Sequence, residues 1–395
     1  MAAMFKRISH ASRTVVAAAL LTVGAHALAQ DLVEGHPDTY VVQEGDTLWS
    51  IAGKFLQRPW LWPEIWQANP QIANPHAIFP GDVISLAYGE RTVATVVDTG
   101  PRTASVSPIN AIPLSEIEPF LKDLRVVDGF EHLPYVVALE EDRLRATTGE
   151  VAYVRGLTDA RPGERFNVMR PTVKYAHIDR AGLCCDLHQV TDLGHRGNES
   201  YMDWQRFWSN AFFPEKGDEI LGYEMMRVNG GTVTRGAVAG MEVSTLLLDE
   251  AGFEVRPGDR LVSVDPQPYD LTFFPHAPAM QLEYGRIQVM AVADGLTTAG
   301  PRSVVAISAG AREGIDNGTV FSIWRVGSNV ADPIEYDWKR SDDTIGFESK
   351  VRLPDEFAGH VMVFRTFDKV SYGLVMDSIR PTQVGYELKH PDAPY

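Results

Sequence analysis

Two adjacent cysteines, Cys184 and Cys185, are followed by His188 and His195, which makes this stretch the first place to look for thiol or metal chemistry. The spacing Cys-Cys-x2-His-x6-His matches no common zinc-ligand pattern, so no metal site is assigned. Two cysteines cannot build a disulfide framework; a strained vicinal disulfide and a pair of free thiols both fit. A catalytic thiol needs a base presented to it, and this polar, Gly- and Asp-containing stretch carries no recognisable partner motif. His-x-His, His-Glu-x-x-His, Ser-His-Gly-x-Cys, Ser-x-x-Lys and Gly-x-Ser-x-Gly do not occur in the chain. Adjacent carboxylates such as Glu140-Glu141 and Asp342-Asp343 read as solvated acidic surface, not as a spaced acid–base pair. The residues predict no catalytic site and no cofactor.

What remains is the chemistry of recognition, concentrated in residues 38–88. Tyr40-Val41-Val42-Gln43 alternates like a short strand and runs into the turn signal Glu44-Gly45-Asp46. Asp46 is placed to cap a helix starting at Thr47. Leu48, Ile51, Ala52 and Phe55 then recur at i, i+3, i+4 and i+7, one buried helical face. Arg58-Pro59 interrupts the pattern. A second helix follows, with Pro63 in its first turn, where a missing N–H costs nothing. Its buried side holds Trp62, Ile65 and Trp66, and Asn69-Pro70 ends it. A loop from Asn74 to Asp82 leads into the strand Val83-Ile84-Ser85-Leu86. The predicted order is strand, helix, helix, strand.

That order and those residues resemble the LysM family. The opening Tyr-x-Val-x-x-Gly-Asp-Thr-Leu-x-x-Ile-Ala is met by Tyr40, Val42, Gly45, Asp46, Thr47, Leu48, Ile51 and Ala52. The middle Asn-Pro is Asn69-Pro70, and the closing Ile-x-Pro-Gly-Asp-x-Ile is Ile78 to Ile84. The departure is Arg58-Pro59-Trp60-Leu61-Trp62-Pro63, which replaces the usual short link between the helices. The resemblance covers about an eighth of the chain and implies binding of N-acetylglucosamine polymers, peptidoglycan or chitin. It implies a shallow groove between two loops. Gly45, Asp46, Thr47 and Leu48 belong to the first, and Asn74, His76, Ala77, Ile78 and Phe79 to the second. Leu48 and Ile78 would bound the acetyl methyl, with backbone groups near Gly45, Ala77 and Phe79 hydrogen-bonding the acetamide. Asp46 reads as a helix cap as well as a ligand contact. Four of the eight tryptophans, at 49, 60, 62 and 66, fall here. Trp49, Trp62 and Trp66 suit a small core, whereas Trp60 suits either a sugar platform or a contact to the next domain.

Residues 1–29 read as a secretory signal peptide. Lys6, Arg7 and Arg13 precede an apolar stretch from Val15 to Ala25, and Ala27-Leu28-Ala29 suits cleavage. The apolar run is too short for a stable membrane-spanning helix, and no longer one follows, so no transmembrane segment is expected in the mature chain. Losing the three basic residues takes the formal charge from −16 to −19. Such a surface disfavours nucleic acid, which is bound through clustered Lys and Arg. A periplasmic location is expected.

Residues 89–113, rich in Thr, Ser, Pro and Val, read as a linker. Ile117, Phe120, Leu121 and Leu124 mark one short amphipathic helix, after which the pattern turns to β. An internal repeat organises this region. Gly163 to Arg170 parallels Gly318 to Arg325, and Val151 to Gly156 parallels Val304 to Gly310. Glu219-Ile220-Leu221-Gly222 parallels Glu356-Phe357-Ala358-Gly359, and Gly258 to Leu261 parallels Gly385 to Leu388. The expected layout is α+β. A βααβ module leads two related small β-barrel or sandwich modules at 114–270 and 271–395, the first with a polar insert at 171–217. The whole layout resembles a group of uncharacterised proteobacterial LysM-containing proteins, which supplies no activity for the C-terminal part. The expected partners are peptidoglycan and another envelope protein that the β modules would contact. The alternative is a peptidoglycan hydrolase, or an activator of one, with its activity in residues 110–395.

Overall fold

A computed structural model of the chain describes residues 37–43, 46–72, 78–86, 114–157, 160–177, 208, 210–211, 219–237, 241–264, 273–279, 285–293, 298–332, 334 and 350–393. The expected signal peptide, the linker at 89–113, and Cys184, Cys185, His188, His195 and Trp204 lie outside the described residues. The chain divides into two compact units, Met1–Leu114 with Phe274–His276, and Ser115–Phe273 with Ala277–Tyr395.

The first unit has the predicted order. Strand β1 (Thr39–Val41) precedes helix α1 (Leu48–Phe55), a 3-10 turn at Pro59–Leu61, helix α2 (Trp62–Gln67) and strand β2 (Val83–Ser85). β1 and β2 pair antiparallel, with Tyr40 opposite Ile84. Leu48, Ile51, Ala52 and Phe55 are buried as the helical spacing requires, and Ile65, Ile84 and Leu86 complete the core.

The second unit is mostly β, so the chain as a whole is α+β. Helix α3 (Leu114–Lys122) leads into β3 (Leu124–Val127), β4 (Tyr135–Leu139), β5 (Val151–Arg155), β6 (Arg165–Ala176), β7 (Asn210–Ala211), β8 (Ile220–Arg235), β9 (Val243–Leu248) and β10 (Arg260–Ser263). There follow β11 (Val289–Val292), β12 (Val304–Ile307), β13 (Val320–Arg325), β14 (Asn329–Ala331), β15 (Lys350–Arg352), β16 (Glu356–Thr366), β17 (Ser371–Ser378) and β18 (Glu387–Lys389). Strands β4, β5, β9, β8, β6 and β10 pair in that order, and β10 returns to β4. This first closed ring carries β3 on the flank of β8. Strands β11, β12, β17, β16, β13 and β18 pair in the corresponding order, and the bridge Gln288↔Glu387 brings β18 back towards β11. Here β7 flanks β11.

The repeat read from the sequence is thus a repeat of topology, with β4, β5, β6, β8, β9 and β10 matching β11, β12, β13, β16, β17 and β18. Single hydrogen bonds match too. Gly163 N–H donates to Val233 O at 2.8 Å, and Gly318 N–H donates to Val363 O at 2.7 Å. Gly258 N–H donates to Val136 O, as Gly385 N–H does to Val289 O, each at 2.8 Å. All four glycines have φ between 90° and 99° or at 86°, the left-handed turn that glycine adopts without a Cβ penalty. Along β9 the burial alternates strictly, which fits one face turned into the ring. Inside the second ring Val305, Ile307, Phe321, Ile323, Val361 and Val375 share one apolar cluster.

One boundary differs from expectation. β6 does not stop where the polar insert was expected to begin at Pro171; it runs on to Ala176, with Thr172, Val173, Tyr175 and Ala176 buried. Pro171 lies at a register shift in the β6–β8 pairing, a bulge, where the proline's missing N–H removes no ladder bond.

Candidate functional site

The chain just before the first loop and just after Phe79 of the second is tied together through backbone, in continuation of the β1–β2 pairing. Val42 N–H donates to Asp82 O, and Gly81 N–H donates to Val42 O, both at 2.9 Å. The second loop closes with a tight turn in which Asp82 N–H donates to Phe79 O at 3.0 Å. Gly81 has φ +93°, so Pro80-Gly81 supplies the residue types that such a turn demands. The Asp82 carboxylate also accepts from Phe79 N–H at 3.0 Å.

Helix α1 opens with a reciprocal cap centred on Thr47, not on Asp46 as expected. Thr47 Oγ1 accepts from Ser50 N–H at 3.0 Å, and Ser50 Oγ accepts from Thr47 N–H at 2.9 Å. Thr47 takes the role because a serine stands three residues on to return the bond. Asp46 is released to brace the preceding turn. Its Oδ2 accepts from Gln43 N–H at 2.9 Å and from the Tyr40 hydroxyl at 2.8 Å. Its Oδ1 accepts from Lys54 Nζ at 2.9 Å, and Lys54 also donates to the Tyr40 hydroxyl at 2.8 Å. Burial of Asp46 raises its pKa, but the Gln43 amide, Lys54 and Tyr40 outweigh that and hold the carboxyl below its usual range. Tyr40 and Asp46 in turn hold Lys54 above the usual lysine value.

The remaining residues of the expected groove divide into three groups. Leu48 and Ile78 are 0% and 1% exposed, so in this conformation both side chains are core and offer no surface to a sugar. Thr47 and Phe79 are half-buried at the loop ends. Gly45, Asn74, His76 and Ala77 lie outside the described residues. Trp49, Trp60 and Trp62 are buried, so in this conformation Trp60 offers no open platform to a sugar. Trp66 is half-buried; its Nε1 donates to Ile72 O at 2.7 Å, and its indole stacks on Phe274 with centroids 5.5 Å apart.

Lys54, the Tyr40 hydroxyl and Asn69 were not singled out as site residues by sequence, although Tyr40 and Asn69 are motif positions. The buried Asn69 amide donates to Ile65 O at 2.7 Å and to Ser85 O at 2.9 Å, and accepts from Ser85 N–H at 2.7 Å. No local spacing marks Lys54, which stands in the last turn of α1 and meets Tyr40 and Asp46 through the tertiary fold.

The second unit carries a polar cluster and a cleft. Glu224 is 1% exposed and accepts from Thr172, Tyr175, Trp208 and Tyr372 at 2.7–2.9 Å. A cleft of about 320 Å³ is lined by Val127, Leu133 and Phe367 together with Asp128, His132 and Lys369. Among the described residues no group of three or more His, Cys, Asp or Glu side chains is placed to hold a metal ion. Nor is any described helix long and apolar enough to cross a membrane.

Residues 40–87 match the family model described as LysM domain. The uncharacterized protein YqbP of Bacillus subtilis (strain 168) is 40% identical over 60 residues, covering 13% of this chain and 27% of that protein. The chain thus aligns with only about a quarter of that relative's length. Motif order, βααβ topology and the family match coincide on one segment: residues 40–87 form a LysM domain, a module of the kind that binds N-acetylglucosamine-containing glycans.

Proposed function

We propose that this protein is a non-catalytic binder of peptidoglycan glycan strands in the cell envelope. In this reading residues 1–29 export the chain to the periplasm, and the LysM domain docks it to the wall. The two β-rings are small barrel modules that present a scaffold surface to another envelope protein, with domain limits near 38–88, 114–270 and 271–395. The observation that carries the reading is the LysM match over residues 40–87, in which Val42 pairs through backbone with Gly81 and Asp82 beside the two loops. Leu48 and Ile78 are buried, so the acetamide is read by the backbone of the loops, with Thr47 and Phe79 beside it and Gly45, Asn74, His76 and Ala77 completing the groove.

A single shallow sugar site gives a Kd on the order of 10⁻⁴ M, about 5–6 kcal/mol. A wall that repeats its epitope makes this sufficient through rebinding. Co-sedimentation of the full chain with purified peptidoglycan sacculi tests the proposal. Binding that soluble N-acetylglucosamine oligomers compete away is the expected result. A chain that stays wholly in the supernatant refutes it. Release of soluble muropeptides by the purified protein would replace it with the hydrolase reading.

A further inference from the structure

We propose that Lys54, acting with Tyr40 on Asp46, is a positioning residue that fixes the backbone at Gln43, Asp46 and Thr47 for glycan binding. This deepens the glycan-binding reading above and rests on it. A site that reads an acetamide through backbone groups has no long side chains to adapt; its affinity depends on how much of the time the backbone stands in the binding geometry.

The turn is held at both ends. Towards the helix, Thr47 and Ser50 cap each other. Towards the strand, Asp46 N–H donates to Gln43 O at 3.1 Å, and the Asp46 carboxylate receives Gln43 N–H in return. That carboxylate is the pivot. Its side chain is only 10% exposed, and a nearly buried carboxylate without a counter-charge costs free energy. Lys54 supplies the counter-charge from the last turn of α1, and the Tyr40 hydroxyl stands between lysine and aspartate. The ammonium also lies 4.9 Å from the centre of the Tyr40 phenyl ring. Removing it would leave Asp46 to recruit water, and its bonds with Gln43 would be weakened.

Lys54 is itself 46% exposed, so its replacement leaves the apolar core intact. That separates positioning from folding. The full chain carrying Lys54→Met, Lys54→Arg, Asp46→Asn or Asp46→Asn with Lys54→Met is titrated against purified sacculi, and unfolding is followed in parallel by tryptophan fluorescence. Lys54→Met is expected to weaken binding by roughly 3–10-fold, with only a modest fall in the unfolding midpoint because water can replace the half-exposed ammonium. Lys54→Arg should restore most of the affinity. The double variant should bind no more weakly than Asp46→Asn alone, because both changes break one coupled pair. Wild-type binding matched by Lys54→Met, or Lys54→Arg as weak as Lys54→Met, overturns the proposal while leaving glycan binding standing. If the wild-type chain itself does not sediment, both fall together.

Discussion

Asn69 does with one side-chain amide what a neighbouring strand would do with its backbone. It donates to Ser85 O and accepts from Ser85 N–H while its second hydrogen reaches Ile65 O, so the end of α2 is stitched to β2. Alanine at this position would strand the buried Ile65 carbonyl and the partly buried N–H and carbonyl of Ser85. Asn69→Ala is therefore expected to destabilise the LysM unit by about 2–3 kcal/mol. Chemical denaturation followed by the tryptophans at 49, 60, 62 and 66 reads that unit; a loss below about 0.5 kcal/mol would mean the amide is dispensable. The Asn-Pro of the motif made this position visible, but sequence could not say what the asparagine does. The same limit shows at Asp46 and Thr47. Both residue types cap helices, and adjacent candidates cannot be ranked by propensity alone. The choice depends on Ser50 returning the bond to Thr47 and on Lys54 claiming Asp46, which are facts of three-dimensional placement.

At the scale of elements, the short apolar runs and the glycine-marked turns were enough to find two copies of a small β-unit, whose six strands each the structure supplied. Gly163 with Gly318 and Gly258 with Gly385 carried that signal, because each of these two pairs sits at a left-handed turn. Pro171 misled for a physical reason: a proline reads as the end of a strand, yet at a bulge its missing donor is free. The edge of the second ring offers a measurable counterpart. Asp355, just before β16, accepts from Gly327 N–H at 2.9 Å, Lys389 Nζ at 2.7 Å and Arg352 at 3.1 Å. Burial raises its pKa, but these three partners win and hold it at about 2, against an ordinary 3.8. A depressed folded-state pKa means the native state binds fewer protons than the unfolded chain. The stabilisation is then complete above pH 3.8 and is lost as pH falls towards 2. Asp355→Asn should cost about 1–2 kcal/mol at neutral pH, allowing for screening of the exposed Arg352 partner. In unfolding titrations its deficit relative to wild type should shrink as pH falls below 4. A constant deficit would show that charge is not the cause.

At the scale of the second unit, the two β-rings meet on one buried carboxylate. Glu224 belongs to β8 of the first ring. Thr172 and Tyr175 of β6 bond it from the same ring, Trp208 from the segment before β7, and Tyr372 from β17 of the second ring. Phe120 of α3 packs edge-on against Trp208 and Tyr372, and Arg365 of β16 donates to the carbonyls of Phe120 and Leu121 at the end of that helix. No local pattern announces such a cluster, since its donors lie between 16 and 148 residues from Glu224. Two opposed effects set its energetics. Burial raises the Glu224 pKa, and the four donated hydrogen bonds lower it without cancelling the burial. Removing the carboxylate altogether takes a shared acceptor from four buried donors, so Glu224→Ala should destabilise the unit by roughly 3 kcal/mol. The pH dependence has the opposite sign to that of Asp355. With the folded-state pKa raised, the native chain holds its proton where the unfolded chain has released it. Stability from this group is therefore full below the unfolded value of 4.5 and is lost as pH rises through the folded-state pKa. Glu224→Gln does not titrate and lacks this dependence. Its stability measured against wild type at pH 5 and at pH 8 should show the wild-type advantage larger at the acid end. An advantage that is flat, or larger at pH 8, would mean that the donors from the two rings, and not burial, control the charge at the junction.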